Sequence, residues 1–309
     1  MNRSLITTDV ERAAHALRTG GLVAVPTETV YGLAADATDP GALRRIFAVK
    51  GRPADHPLIV HLRSAEHLDE WAASVPPTAQ RLVDAAWPGP LTVILPRGRR
   101  VLDEVTGGRD TVGLRVPAHP VAQALLDRSG LTFAAPSANR FGSVSPTTAL
   151  HVLDELGAFL DPACDVILDG GASTIGVEST IVDCAVDPPQ ILRAGSVTVE
   201  EVSRLLDGAI APAAGPSRAS GMLASHYAPR CSVRLVDHAD DAYALRAGTP
   251  RSEILDLTDD LVVYAHDLYA RLRDADARGV GTVIAVLPPA AGLGHAIRDR
   301  LTKAAAPRP

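Results

Sequence analysis

Four short segments place polar side chains where buried strands should end, and their residue types suit the handling of a small charged ligand. Residues 26–33 read Pro-Thr-Glu-Thr-Val-Tyr-Gly-Leu and follow an apolar run, 22–25, that stops at Pro26. Hydroxyls and a carboxylate there face the crevice in which open α/β sheets bind ligands. For Thr27 taken singly, a turn or an N-cap serves equally well. Lys-Gly-Arg-Pro at 50–53 sets two cations where they could grip a polyphosphate. A plain helix C-cap is the alternative, because cations are already favoured at that end of the helix dipole. The ammonium is unusual in this chain: of 30 basic residues only Lys50 and Lys303 are lysines, and the two cation types are not interchangeable. Thr111, Gly113 and Arg115 share one strand face, so a buried Arg115 would demand a carboxylate or phosphate, structural or from a ligand. Residues 134–139 and 143–146 bring small side chains, hydroxyls and an amide to a strand exit, which suits close approach to a ligand or turn chemistry. Each segment alone is weak evidence; four in one domain point to a site.

Alternating elements must position these segments. Strands are expected at 22–25, 58–62, 91–95, 112–116, 131–135, 166–168, 180–183 and 190–192, with helices at 77–86, 120–128, 147–156 and 199–206. Thr8-Asp9-Val10-Glu11 reads as a capping box opened by Thr8, ahead of a stripe at Val10, Ala14 and Leu17 that Gly20-Gly21 closes. Asp39-Pro40 opens another helix whose Leu43, Ile46 and Phe47 share a face, and Lys50 continues that row toward the core. This pattern predicts an α/β domain with a twisted mixed sheet and flanking helices. Residues 208–230, rich in Ala, Gly, Pro and Ser, read as a linker or functional loop. Beyond it, strands at 232–236, 253–257 and 280–286 alternate with helices at 239–245, 261–278 and 293–304, a small three-layer, Rossmann-like α/β unit. The expected division is therefore 1–207, 208–230 and 231–309.

Composition narrows the function. The 309 residues are 46% apolar and 21% charged, ordinary for a globular protein with a sizeable core. A net charge of −6 argues against a protein that mainly coats nucleic acid. No stretch reaches the roughly 18 apolar residues of a membrane span, and residues 1–8 lack the apolar core of a signal peptide, so a cytoplasmic chain without membrane contact is expected. Cys164, Cys184 and Cys231 form no metal-binding spacing, and His56 and His61 are isolated from carboxylates and thiols, so no metal site is expected. A glycine-rich phosphate loop, a GxGxxG, an HExxH and a GxSxG are all absent, so a nucleotide site would have to be built another way.

The same segments, together with Pro-Leu-Ile-Val-His (57–61), Trp-Pro-Gly-Pro-Leu-Thr (87–92), Gly-Leu-Arg-Val-Pro (113–117), Pro-Ser-Ala-Asn (136–139), Glu-Ser-Thr-Ile (178–181) and Leu-Arg-Ala-Gly (192–195), give a specific match over 8–207. On these motifs the chain resembles the Sua5/YrdC/YciO family in its two-domain, Sua5-type form, with a YrdC-like domain followed by a small Sua5 domain. The resemblance implies a threonylcarbamoyl-AMP synthase, a nucleotidyltransferase that joins L-threonine, bicarbonate or CO2, and ATP, and releases pyrophosphate. A downstream transferase complex would then pass the threonylcarbamoyl group to tRNA as the t6A modification. Carried over by position, Lys50, Arg52, Thr111, Ser137, Asn139, Ser145, Arg193 and Tyr227 are expected around ATP, with Lys50 and Arg52 catalytic. Thr27, His61, Arg115, Ala135 and Ser179 are expected around threonine. Mg2+ is expected to accompany the nucleotide.

Chemically, Arg115 could clamp the amino-acid carboxylate, and the carbamate oxygen could attack the α-phosphorus with no protein nucleophile. Gly-Met-Leu-Ala-Ser-His-Tyr-Ala-Pro at 221–229 resembles the family's linker motif, although Ser220 stands where proline is often found and Leu-Ala-Ser replaces a Lys-rich centre. The alternative is a non-catalytic RNA-binding module, with Arg97, Arg99, Arg100 and Arg109 as its basic patch. A hydrogenase-maturation carbamoyltransferase would need acylphosphatase and zinc-finger segments that this sequence lacks. By sequence alone, Lys303 is expected to be a silent position.

Overall fold

A computed structural model describes residues 3–211, 213–214 and 226–307. The N-terminal part contributes strands β1 (Ile6–Thr7), β2 (Val23–Val25), β3 (Gly32–Asp36), β4 (Ile59–His61), β5 (Leu91–Pro96), β6 (Thr111–Arg115), β7 (Phe133–Ala134), β8 (Val166–Leu168), β9 (Thr180–Asp183) and β10 (Gln190–Arg193). Among the described residues these ten form one mixed sheet in the order β1-β8-β2-β3-β7-β4-β6-β5-β9-β10. The sheet is covered on both sides, which is why β2 reads as an uninterrupted Val-Ala-Val rather than an alternation. Ala24 packs into the cluster holding Leu43 and Phe47 of helix Pro40–Lys50, whereas Val23 and Val25 pack with Ala13 and Leu17 of helix Val10–Arg18 and Leu125 of helix Pro120–Ser129.

Two local expectations change. Gly32–Asp36 is a strand, antiparallel to both β2 and β7, inside a segment that the sequence presents as a ligand loop. Its Gly-Leu-Ala-Ala run is buried throughout, so it carries no period to read. The first helix is capped by Asp9, not Thr8: its carboxylate accepts the amides of Glu11 at 2.9 Å and Arg12 at 3.2 Å. The second helix behaves as expected, with Asp39 as N-cap and a left-handed Gly51 (φ 61°) as its stop. That stop leaves Lys50 in the last turn, 2% exposed.

The C-terminal part is a three-stranded parallel sheet, β11 (Ser232–Val236), β12 (Ser252–Leu255) and β13 (Thr282–Val286), in the order β11-β13-β12. Alternation along β13 builds the three layers. Ile284 and Val286 pack with Ala242 of helix Ala239–Ala247, while Val283 and Ala285 pack with Leu268 of helix Leu261–Ala277 and Ile297 of helix Leu293–Ala305. That second cluster also takes in Val30, Val144 and Val177 from the N-terminal part, so the two sheets share one apolar seam.

Candidate functional site

Thr27, Thr29 and Val30 leaving β2, Ala135 to Ser137 leaving β7, Arg115 ending β6 and Arg193 ending β10 converge on one cavity. Gly32, Ile59, His61, Arg52, Glu178, Ser179, His226 and Tyr227 complete its walls. Nine of the thirteen sequence-nominated residues line it directly: Thr27, Arg52, His61, Arg115, Ala135, Ser137, Ser179, Arg193 and Tyr227. Lys50, Asn139 and Ser145 stand one layer behind, and Thr111 does not reach it, being half-buried at the start of β6 opposite Pro96.

One end of the cavity is cationic. The Lys50 ammonium donates to the carbonyls of Ser137 and Asn139, each at 2.5 Å, and so fixes the course of the 137–139 segment. Burial, with Arg52 adding, pushes the Lys50 ammonium well below its ordinary range. Burial also lowers Arg52, to about 10, with Arg193 contributing. Asn139 donates to the carbonyls of Arg140 and Ser143, both at 2.8 Å, and folds the following loop back. Arg193 donates from Nε to the Ser179 carbonyl and from its guanidinium to Ser179 Oγ, each at 3.0 Å. Gly195 makes that approach possible, because a Cβ there would lie 2.4 Å from the Thr180 nitrogen and 2.6 Å from the Glu178 carbonyl oxygen.

The other end is built around Arg115 and His61, which face each other in the β4–β6 register. Arg115 donates to Thr29 Oγ1 at 3.0 Å and to the Gly89 carbonyl at 3.1 Å, and pairs with the buried Glu28 carboxylate at 2.7 Å. The carboxylate demanded by a buried Arg115 is thus met within the protein, at least in part. Burial would raise the Glu28 carboxyl, but the charge and hydrogen bond of Arg115 hold it below its usual value. His61 stacks on Phe133, and burial with the nearby Arg115 charge pushes it down to about 3, so it stands neutral near pH 7. Thr27 makes a turn as well as lining the wall: its hydroxyl donates to the Val30 carbonyl at 2.5 Å and meets Thr29 Oγ1 at 2.8 Å.

Glu178 is a charged wall residue that the sequence does not nominate, although Glu-Ser-Thr-Ile is a motif. The carboxylate accepts from Ser145 Oγ at 2.6 Å, Tyr269 OH at 2.8 Å and Arg300 Nε at 2.8 Å. Burial would raise its pKa, yet Arg300, then Arg193 and the Ser145 hydroxyl, hold it down to about 2 from an ordinary 4.5. A depressed carboxylate stabilises the fold above its unfolded pKa and loses that contribution as pH falls toward the folded value. The melting temperature is therefore expected to drop as pH falls from about 4.5 toward about 2, and Glu178→Gln should flatten that slope in a pH series of thermal melts. His226, pushed to about 3 chiefly by burial, and Tyr227, stacked on Tyr269 at 5.6 Å, close the cavity from the C-terminal side. The preceding 221–225 of the linker motif lie outside the described residues.

Two arginines of the nominated basic patch, Arg97 and Arg100, are held in ion pairs, and a third, Arg109, is tied to backbone carbonyls. Arg97 pairs with Asp103 at 2.5 Å, Arg100 pairs with Glu70 and lies over Trp71, and Arg109 donates to the carbonyls of Asp55 and Thr106. Lys303 pairs at 2.5 Å with Asp299, which also binds Arg300 at 2.7 Å.

The family model for Sua5, YciO and YrdC proteins, described as telomere recombination, matches residues 15–195. The chain belongs to the Sua5/YciO/YrdC family. A second family model, threonylcarbamoyl-AMP synthase C-terminal domain, matches residues 197–306. Among curated relatives, the threonylcarbamoyl-AMP synthase of Pyrococcus abyssi is 39% identical, with 94% of this chain and 92% of the relative covered. That of Bacillus subtilis is 38% identical, over 97% of this chain and 93% of the relative. The crystal structure of P. abyssi Sua5 complexed with L-threonine superposes with a TM-score of 0.89 at 38% identity, covering 96% of this chain and 94% of that one. The mixed α/β architecture with two sheets is thus that of a Sua5 protein, and the membership leaves the RNA-binding module as the disfavoured reading.

Proposed function

We propose that this chain is a threonylcarbamoyl-AMP synthase: a nucleotidyltransferase that condenses L-threonine, bicarbonate or CO2, and ATP to threonylcarbamoyl-AMP and pyrophosphate. The observation that carries the reading is the polarity of the cavity. Arg52 and Arg193 gather at one end with Lys50 one layer behind them, and Arg115, His61 and Thr27 form the other, within one enclosure. In this reading ATP lies along Arg52, Ser137 and Arg193, with Lys50, Asn139 and Ser145 holding the loops beneath it. Threonine lies against Thr27, His61, Arg115, Ala135 and Ser179.

The reaction follows from positioning. The threonine amine adds to CO2 and loses a proton, giving a carbamate whose oxygen attacks the α-phosphorus; the P–O bond to the β-phosphate breaks and pyrophosphate leaves. Arg115 orients the amino acid through its carboxylate, sharing its guanidinium with Glu28. His61, neutral near pH 7, adds no competing charge. Arg52 and Arg193 stabilise charge that grows on the leaving oxygens, an effect strengthened by burial. His226 and Tyr227 keep water from a carbamate and a mixed anhydride that it would destroy.

The Glu178 carboxylate already accepts three hydrogen bonds. Among the described residues no group of three or more His, Cys, Asp or Glu side chains could hold a metal ion. Mg2+ would arrive with the nucleotide substrate, held through its phosphate oxygens. We divide the chain into a catalytic part at 1–207, a linker over the site at 208–230 and a small C-terminal domain at 231–309. No helix among the described residues is long and apolar enough to cross a membrane. We place the product in the cytoplasm, where a partner transferase complex would consume it in t6A modification of tRNA. The test is incubation of the protein with ATP, bicarbonate and labelled threonine. A labelled adenylate and pyrophosphate release that need both threonine and bicarbonate are expected; pyrophosphate release at the same rate without threonine would overturn the assignment.

A further inference from the structure

The C-terminal domain abuts the cavity wall through two buried side chains that converge on Glu178, Arg300 and Tyr269, and through Arg273, which holds the backbone beside Ser145. Arg300, on helix Leu293–Ala305, is 1% exposed and donates from Nε to Glu178 at 2.8 Å. Tyr269, on helix Leu261–Ala277, donates its hydroxyl to the same carboxylate at 2.8 Å. The other Glu178 oxygen accepts from Ser145 Oγ at 2.6 Å. Arg273, one turn further along the Tyr269 helix, donates to the backbone carbonyls of Val144 and Ser145 and pairs with Glu155 at 3.2 Å. Backbone packing locks this contact: a Cβ on Gly176 would lie 2.4 Å from the His266 carbonyl oxygen and 2.5 Å from that of Ala265.

A carboxylate in a cavity that must accept a triphosphate would repel it unless its charge were cancelled. Arg300 is buried, cannot deprotonate under ordinary conditions, and supplies that cancellation from the second domain. We propose that Arg300 and Tyr269 are positioning residues for the nucleotide half of the site: they fix and neutralise Glu178 so that it orients the Ser145 hydroxyl without opposing the phosphates. The C-terminal domain is then a structural part of the ATP site, while the threonine end, held by Arg115 within the N-terminal part, does not depend on it. This rests on the reading above that Ser145 serves ATP.

The test is calorimetric titration of the full-length protein with ATP and, separately, with L-threonine. Arg300→Met, which keeps the apolar bulk, should weaken ATP binding by about tenfold or more, since it leaves a buried carboxylate without its directly paired cation and draws on the Arg193 charge that the nucleotide would use. Threonine affinity should change far less, by under about threefold, because of its proposed contacts only Ser179 adjoins Glu178 and the others lie elsewhere. Adding Glu178→Gln to Arg300→Met removes the stranded charge and should recover most of the lost ATP affinity, which a merely space-filling role for Arg300 would not produce. Tyr269→Phe deletes one hydroxyl with little threat to folding and should cost about threefold for ATP alone. Equal losses for both ligands, unaltered ATP affinity in Arg300→Met and Tyr269→Phe, or no recovery in the double variant would overturn the proposal. So would a wild-type protein that does not bind ATP. If the wild type binds ATP yet makes no adenylate, the synthase reading fails, while the affinity series still decides the role of Arg300.

Discussion

Lys50→Met is expected to lower adenylate formation by about 10²–10³-fold, the range seen when a preorganised charge-stabilising donor is removed from an enclosed site. Lys50 acts in two ways at once. Its ammonium ties together the carbonyls of Ser137 and Asn139, and its charge belongs to the cationic end of the cavity beside Arg52. Methionine keeps the length and apolar bulk of the side chain, so the helix Pro40–Lys50 should still pack, and the loss should appear mainly in kcat and in the KM for ATP. The cost to stability is the two carbonyls left without a donor in a buried place, about 1–3 kcal/mol each at most. Steady-state pyrophosphate release and a thermal melt separate the two effects. A variant that retains more than about a third of wild-type turnover would remove Lys50 from the chemistry, because a lost charge contact in such a site costs far more.

Arg115→Met is expected to be damaging for a different reason, and the second variant needed to read it is Glu28→Gln. Arg115 and Glu28 form a buried pair at 2.7 Å, with side chains 5% and 9% exposed. Removing one partner of such a pair typically costs about 3–5 kcal/mol, because the remaining charge stays buried and uncompensated. Arg115→Met alone should therefore lower the denaturant midpoint sharply. Combining it with Glu28→Gln should restore most of that stability, since a neutral amide tolerates the site far better than a bare carboxylate. Activity should not return with it: the double variant still lacks the guanidinium that would hold the threonine carboxylate, and its KM for threonine should rise by about 10²-fold or more. A double variant that regained both stability and threonine affinity would show that Arg115 serves the fold alone.

These two residues mark how far sequence reading reached. The row Leu43, Ile46, Phe47, Lys50 is set by helical period, so the inward direction of Lys50 is legible in the sequence itself. Arg115 was legible as a buried cation in need of an anion, but Glu28 as that anion was not, because 86 positions along the chain separate Arg115 from the neighbouring Thr29 to which it also donates. β3 escaped notice for a simpler reason: Gly-Leu-Ala-Ala is buried on both faces and presents no alternation. Asp9 rather than Thr8 caps the first helix because Asp9 reaches two amides, while a hydroxyl one residue earlier has no such reach. Thr111 sits on the same strand face as Arg115, yet four residues of strand rise carry it away from the cavity, a distance that face-sharing alone does not report.

The alternation of elements, the two-sheet division and the order of the motif segments are written locally, in spacings of two and 3.6 and in glycine and proline stops. Sequence therefore determined the fold class and nominated most of the cavity wall, while the order of the ten strands was settled only by their pairing. What it left open is everything made by contacts between distant segments: the Glu28 partner of Arg115, the Glu178 carboxylate bonded to Ser145, and the arrival of Arg300 and Tyr269 from the second domain. Arg300 lies 122 positions from Glu178. A chain of 28 arginines gives no local sign of which one is buried against a carboxylate, because that choice is made only when two sheets close over a shared apolar seam. Tertiary packing alone decided it.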